Sequence, residues 1–468
     1  MRQIAYVFLL TSFLIACHEK CVMAGDSDVF GKTEYMNVYR DMLYNNYMNS
    51  NDIAKYDQFL KNKAVSIEGV PDFRFDYKII GKATKDKYYP VYISLHGGGR
   101  TTKEKNDRQW NNQKGLYDIP FGIYVAPRAP WDDWDMWFKQ PMDRLIEELV
   151  KTFYFSDHDI DVDRIYLLGY SAGADGVWRL ATRMPDIFAA ASAMAGHPGD
   201  VSLVNLFNLP FMIWVGENDS AYNRNKECAS RIHELARLRA QNHGNGYVFS
   251  GHVLKGKGHW MDNEDAAAIS WMSRFERDPH PEHVVWRQGE IPRNHMYQLE
   301  VDIEEAQRGK EAVVDFDYER NSITIRKSDY DALHININDA MFDMDENIRV
   351  FDPSGKLIFD GIVQRKKSRL LHSFHVYGGI FAGYPGRIDI HDKGRSAGDA
   401  FIEIEGGPIW GNDHARKRCP EVLAEWLKVN PGMQAEWNGE WSTTIQGKMS
   451  VCRIKTQKFL RQGDRIYP

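Results

Sequence analysis

Cysteine is scarce. Five occur in 468 residues, and two of them, Cys17 and Cys21, fall in the first two dozen positions. The remaining Cys228, Cys419 and Cys452 show no CxxC or Cys/His spacing that would hold zinc, so no metal site is expected, nor any cofactor. An excess of positive charge is missing too. With 59 Lys and Arg against 65 Asp and Glu, the net charge is −6, which leaves no basic stripe to neutralise a phosphate backbone and excludes nucleic acid as a partner. No apolar run reaches the ~20 residues that a bilayer span requires. Internal repeats and low-complexity tracts are also missing. What remains, 43% hydrophobic and 26% charged residues, is the composition of a globular protein, and at ~150 residues per domain the length suggests about three.

The N-terminus reads as an export signal over residues 1–24. Arg2 supplies the positive start, and Ile4 to Ala16 is apolar apart from Thr11 and Ser12. Two processing sites compete. Leu14-Ile15-Ala16-Cys17 has the form of a lipobox, which would make Cys17 a lipid anchor, whereas Val22-Met23-Ala24 before Gly25 suits ordinary signal peptidase. Either way the protein is expected to be exported: secreted, periplasmic or held at an outer membrane.

Residues 25–70 form a helical lead-in, with Tyr35, Tyr39, Met42, Leu43 and Tyr47 near helical spacing. From 71 to 278, strand-like and helix-like runs alternate. Phe73–Ile80, Tyr89–Leu95, Phe121–Ala126, Ile165–Gly169, Phe188–Ala195, Phe211–Val215 and Tyr247–Leu254 read as strands. Met142–Phe155, Ala172–Met184, Asn225–Ala240 and Asn263–Phe275 read as helices. Such alternation predicts an α/β fold, a doubly wound and mostly parallel sheet with sites at the carboxyl ends of its strands. After the stiff Asp278-Pro279-His280-Pro281, short strands without long helices predict a small all-β sandwich over 279–378. A Gly-rich linker (379–399) and a last unit (400–460) follow.

Three strand ends carry residues suited to acyl transfer. Gly169-Tyr170-Ser171-Ala172-Gly173 sits between a strand and a helix, where a strained turn lifts the serine hydroxyl above the sheet and bulky neighbours are excluded. His96-Gly97-Gly98-Gly99 follows another strand, and its bare backbone lets N–H groups approach a ligand. The N–H groups of Gly97, Gly98 and Ala172 are the candidate oxyanion hole. A serine hydroxyl needs a base, and the base needs an orienting acid. His259, after the last strand, and Asp219, after Phe211–Val215, fill these roles, about one strand–helix unit apart in the order Ser, Asp, His. Glu217 is the rival acid. The pocket is assigned to His96, Trp131, Trp134 and His197; His96 is expected to orient its loop by hydrogen bonding rather than to do chemistry, and the Trp cluster equally suits packing on the domain. Arg128 is expected to pair with Asp132 or Asp135.

These motifs resemble the α/β-hydrolase superfamily, and within it the serine esterases grouped with feruloyl esterases, polyhydroxybutyrate depolymerases, and dienelactone-hydrolase-like and prolyl-oligopeptidase-like enzymes. The resemblance implies hydrolysis of carboxylic esters, on carbohydrates or aromatic acids, through a Ser171–His259–Asp219 acyl-enzyme mechanism. A prolyl-oligopeptidase-like peptidase uses the same triad and stays open, as does a glycan-binding surface protein with a vestigial hydrolase domain.

The last unit has its own signature: Gly407-Pro408-Ile409-Trp410-Gly411-Asn412, then Trp437-Asn438-Gly439-Glu440-Trp441, then Met449-Ser450-Val451. It reads as a strand, a helix and a two-stranded hairpin, and it resembles the mannan-binding lectin repeat, a small α+β lectin-like unit. That resemblance implies mannose-type glycan contacts by Trp410, Asn412, Trp437, Asn438, Gly439 and Trp441. The same Trp residues would also serve as the core of a tiny domain. Cys419 and Cys452 are a candidate disulfide of this unit, and Cys228 a buried free thiol.

Overall fold

The computed structural model describes residues 29, 33–48, 51–84, 87–156, 158–376 and 383–391, and beyond these the backbone of short strands between 401 and 467. The signal segment with Cys17, and Trp410, Asn412, Cys419, Asn438 and Gly439, lie outside the described residues, and with Cys419 the proposed disulfide.

Eight strands form the principal sheet: β1 (Ala64–Val65), β2 (Phe73–Ile80), β3 (Tyr89–Leu95), β4 (Gly122–Pro127), β5 (Ile160–Tyr170), β6 (Ala190–Met194), β7 (Phe211–Gly216) and β8 (Phe249–Leu254). Their spatial order is β1-β2-β4-β3-β5-β6-β7-β8. The β1/β2 and β2/β4 pairs are antiparallel, and every later pair is parallel. Each central strand buries both faces, which is why it reads as a continuous apolar run. On β3, Val91, Ile93 and Leu95 join one apolar cluster and Tyr92 the other. Ile165 and Leu167 are likewise separated from Tyr166 and Leu168 on β5.

The first described helices, α1 (Thr33–Met48) and α2 (Asn51–Asn62), fall in the expected lead-in. Then come α3 (Lys103–Gln113), α4 (Met142–Tyr154), α5 (Ala172–Arg183), α6 (Arg224–Gln241) and α7 (Ala267–Met272). Leu145 and Leu149 of α4, Val177 and Trp178 of α5 and Leu235 of α6 cover one face; Trp110 of α3 and Ile269 of α7 cover the other. Helix α7 is shorter than the predicted Asn263–Phe275, because that segment opens as a 3₁₀ turn at Glu264–Ala266. Helix α3 stands where the sequence pattern indicates neither strand nor helix. Its sequence, KEKNDRQWNNQ, has no apolar stripe, and its buried positions are Asn106 and Gln113. Polar partners satisfy them: Gln113 Nε2 donates to Ser94 Oγ (2.7 Å) and Asn106 Nδ2 to Asp132 Oδ1 (2.7 Å).

Nine further strands follow: β9 (His283–Arg287), β10 (His295–Met296), β11 (Leu299–Glu300), β12 (Glu311–Asp317), β13 (Ser322–Ser328), β14 (Ala332–Ile337), β15 (Ile348–Phe351), β16 (Leu357–Gly361) and β17 (Gly386–His391). With β18 (Phe401–Ile402) they build two five-stranded sheets, β10-β11-β14-β17-β18 and β16-β15-β13-β12-β9. Val284, Trp286, Leu299, Val314, Ile335 and Ile388 belong to one apolar core fed by both sheets. Two expectations are corrected here. A helix, α8 (Lys367–Val376), stands among the strands. And β17 occupies residues assigned to a linker: the alternation Arg387-Ile388-Asp389-Ile390 pairs along the whole of β14, so the glycines around it mislead. Arg293 Nη2 donates to Glu147 Oε1 (2.9 Å), and Asn205 exchanges two hydrogen bonds with the Arg287 backbone, tying this part to the α/β part.

In the C-terminal segment the described backbone comprises β19 (Ala435–Trp437), β20 (Glu440–Ile445), β21 (Lys448–Arg453), β22 (Gln457–Gln462) and β23 (Arg465–Tyr467). Strands β20 and β21 form the expected hairpin, which sets Trp441 opposite Cys452.

Candidate active site

The parallel register brings the strand ends together. Leu95 pairs with Gly169, Tyr170 with Met194, Met194 with Trp214, and Gly216 with Leu254. The loops after β3, β5, β7 and β8 therefore leave the sheet on one edge. They carry the His96–Gly99 run, Ser171, Asp219 and His259.

Ser171 occupies the turn between β5 and α5 with φ 56° and ψ −122°, a conformation that side chains seldom adopt. The two flanking glycines explain how the turn fits. A Cβ on Gly169 would lie 2.5 Å from the carbonyl of Gly173, and one on Gly173 would lie 2.1 Å from the Leu95 oxygen. The turn is fixed by Ser171 N–H donating to Met194 O (2.8 Å), while Ser171 O accepts from Ala174 N–H (2.8 Å).

His259 Nε2 lies 3.0 Å from Ser171 Oγ, and its Nδ1 lies 2.8 Å from Asp219 Oδ2. An ionised carboxylate only accepts, so Nδ1 carries the ring proton and Nε2 is free to accept the serine hydroxyl. Asp219 is 3% exposed. Burial raises its pKa, but hydrogen bonds from His259 and Arg224, with the guanidinium charge, outweigh this and hold it below the ordinary carboxylate value. Glu217, the rival acid, turns away and accepts from the Gly256 N–H (2.8 Å).

The glycine run lies against the serine. A Cβ on Gly97 would stand 3.2 Å from Ser171 Cβ, and one on Gly99 would stand 3.6 Å from Ala172 Cβ. Gly98 has φ 108°, and a Cβ there would fall 2.1 Å from Asn106 Oδ1, an atom that accepts the Gly99 N–H at 2.9 Å. Among the described residues the N–H groups of Gly98 and Ala172 have no acceptor in reach.

The pocket assignments fare unevenly. His96 is fully buried, and its hydrogen bonds hold its own loop. Its Nδ1 donates to Gly97 O (2.6 Å), its Nε2 accepts from Ala129 N–H (3.1 Å), and its carbonyl accepts from Trp137 Nε1 (2.8 Å). It is the keystone of the glycine loop. Burial pulls its pKa down from 6.5 to about 3, against the Gly97 hydrogen bond. The unfolded chain therefore takes up a proton between pH 6.5 and 3 that the fold refuses, so stability present above 6.5 is lost as pH falls through that window. We expect a loss of about 2 kcal/mol from this residue between pH 7 and pH 5. His96→Asn should flatten that part of a stability–pH profile measured by urea unfolding; an unchanged slope would refute the attribution.

Trp134 is 60% exposed and stands beside the glycine loop, its Cα 3.6 Å from where a Gly99 Cβ would be. Trp131 is half-buried against the core, with Lys139 Nζ 5.0 Å from its ring centre. His197 holds its own loop: its N–H donates to Asp175 Oδ1 (2.6 Å) and its Nδ1 accepts from Gly199 N–H (2.9 Å). Arg128 is buried and pairs with Asp107 (2.8 Å) as well as with the expected Asp132.

Sequence reasoning missed three residues. Trp260, next to His259, is 52% exposed and meets the Tyr170 ring edge-on at 6.0 Å. Tyr222 is exposed, with the Arg224 guanidinium 5.5 Å from its ring centre. Arg224 grips Asp219 with two hydrogen bonds. Adjacency to Asp219 and His259 was the available signal, but no spacing rule singles them out. Cys228 is a buried free thiol.

No family model matches the chain. Over 53 residues, 11% of this chain and 40% of the relative, it is 38% identical to Lectin MVL of Microcystis viridis. Over 142 residues it is 28% identical to a secreted protein of Arthroderma benhamiae, covering 28% of this chain and 14% of the relative. The chain thus spans less than half the length of either curated relative. Among solved structures it is similar to a thermostable esterase (21% identity, TM-score 0.38, 46% of this chain and 62% of that one). It is also similar to a Bacillus cereus carboxylesterase (18%, TM-score 0.32, 47% and 99%). A feruloyl esterase module from Clostridium thermocellum is a third (14%, TM-score 0.33, 45% and 86%). Among the described residues no helix is long and apolar enough to cross a membrane. The chain is similar to esterases and feruloyl esterases in structure, and to a lectin over a short stretch of sequence.

Proposed function

We propose that the chain is an exported serine hydrolase of the α/β-hydrolase type, which cleaves carboxylic esters on carbohydrates or aromatic acids. The observation that carries this reading is the unbroken relay from Asp219 through His259 to Ser171, at 2.8 and 3.0 Å, beside unpaired backbone donors. Ser171 Oγ adds to the ester carbonyl while its proton passes to His259 Nε2. The N–H groups of Gly97, Gly98 and Ala172 hold the oxyanion. Collapse of the tetrahedral species breaks the acyl–oxygen bond, and the alcohol leaves with the proton from Nε2. Water then repeats the sequence and frees the acid and the serine. Asp219 keeps the ring oriented and offsets its transient charge.

The exposed rings of Trp134, Tyr222 and Trp260 flank this relay and support a substrate with flat apolar faces, such as a sugar chain or an aromatic acid. The apolar run Ile4–Ala16 supports export, with Cys17 as an optional lipid anchor. Trp410, Asn412, Trp437, Asn438, Gly439 and Trp441 are proposed glycan contacts, which a glycan array would test.

The function is tested by initial rates on p-nitrophenyl acetate, acetylated xylan, methyl ferulate, polyhydroxybutyrate and a prolyl peptide amide. Turnover of the first three is expected; hydrolysis of the peptide alone would overturn the ester assignment. In the same assay Trp134→Ala should raise KM for acetylated xylan or methyl ferulate about tenfold, the worth of one stacked ring. Unchanged KM values would remove Trp134 from the substrate site.

A further inference from the structure

We infer that Arg224 is a positioning residue of this site, acting on His259 through Asp219; the inference rests on the hydrolase reading above. Asp219 lies in the loop after β7, with its side chain 2% exposed. Three N–H donors converge on its two oxygens. Oδ2 accepts from His259 Nδ1 at 2.8 Å and from Arg224 Nε at 3.0 Å, and Oδ1 accepts from Arg224 Nη2 at 2.9 Å. A carboxylate held by one histidine can rotate about its χ2 bond. Gripped by the planar fork of a guanidinium, it cannot, and the Oδ2 lone pair stays aimed at Nδ1.

The backbone is arranged to deliver the fork. Tyr222 and Asn223 both adopt left-handed conformations, with φ 56° and 58°, and α6 begins at Arg224 immediately after them. Two consecutive non-glycine residues in this region carry strain. The result is that Arg224, five positions beyond Asp219, folds back onto it with its side chain 12% exposed. Asn225 N–H closes the same loop by donating to Asp219 O (3.1 Å).

The grip has a cost that separates it from a plain structural ion pair. Nη2 lies 3.2 Å from His259 Nδ1, and both atoms are donors. The guanidinium therefore sits beside the ring that gains a positive charge when Ser171 is deprotonated. A pair that only held the loop together would be expected to keep its cation away from the reacting imidazole. Here the cation is tolerated, because the orientation of Asp219 depends on it.

The test is a double-mutant cycle on the full chain, with rates per active site counted by fluorophosphonate titration. Arg224→Met should lower kcat on p-nitrophenyl acetate about 10- to 100-fold with KM within threefold of the parent. Arg224→Lys, which brings one point contact in place of a fork, should recover less than half of that loss on a logarithmic scale. Asp219→Asn alone should cost about 10³- to 10⁴-fold, and adding Arg224→Met to it should cost no more than a further threefold. Multiplying losses, or a wild-type kcat per titrated site in Arg224→Met, would overturn the inference. Should Arg224→Met fail to fold, Arg224→Lys in the two backgrounds decides the same question. Failure of the hydrolase reading looks different: Ser171→Ala would then retain activity, whatever Arg224 does.

Discussion

Ser171→Ala should lower kcat on p-nitrophenyl acetate by about 10⁵- to 10⁶-fold, to the level left by binding and backbone donors alone. The size follows from the geometry. Ser171 Oγ is the atom that the His259 Nε2 lone pair faces at 3.0 Å, and alanine removes both the nucleophile and the proton that the base would accept. Stability should hardly change. Alanine and serine suffer alike at φ 56°, and the hydroxyl is only half-buried, so the urea midpoint should stay within experimental error. Retention of more than a hundredth of the parental rate by well-folded Ser171→Ala would remove the serine from the chemistry.

Gly173→Ala should be severe for a different reason. Its Cβ would fall 2.1 Å from Leu95 O, 2.6 Å from Leu95 C and 3.0 Å from His96 O, all backbone atoms that cannot rotate aside. Helix α5 would have to lift from β3, and with it Ser171, the Ala172 N–H and the glycine loop. We expect a loss of about 3 kcal/mol in urea unfolding and at least a 10³-fold fall in kcat. Gly115→Ala is the control. Only Lys78 Nζ lies near, at 3.8 Å, so both quantities should stay close to the parent. Equal tolerance at the two positions would show that the close approach of α5 to β3 is not required.

The contrast between these glycines marks what a sequence can disclose. The G-x-S-x-G spacing is legible because the constraint is local: a serine turn needs a neighbour four positions from the first glycine that can touch it, and Gly169 and Gly173 do touch. The strands of the principal sheet are legible because burial on two faces writes an apolar run. Helix α3 is not, since its buried face is made of Asn106 and Gln113, whose partners Asp132 and Ser94 lie elsewhere in the chain. Strand β17 is hidden by the glycines around it and becomes plain only when β14 supplies the pairing. Arg224 is invisible for a further reason: its value lies in two left-handed residues that turn it back on Asp219, and while Asn223 is of a type that tolerates that conformation, Tyr222 is not. The loop-holding role of His96 is legible from its place before three glycines; its partners Ala129 and Trp137 are not, since they lie after another strand.

The central claim is that Ser171 is made nucleophilic by His259. Fluorophosphonate labelling with peptide mass mapping measures this directly, since the probe reacts with an activated serine and not with an ordinary one. The account predicts one adduct per chain, on Ser171, formed at least 10³-fold more slowly when His259 is replaced by alanine. An unlabelled chain, a label on another residue, or an undiminished rate without the imidazole would contradict it.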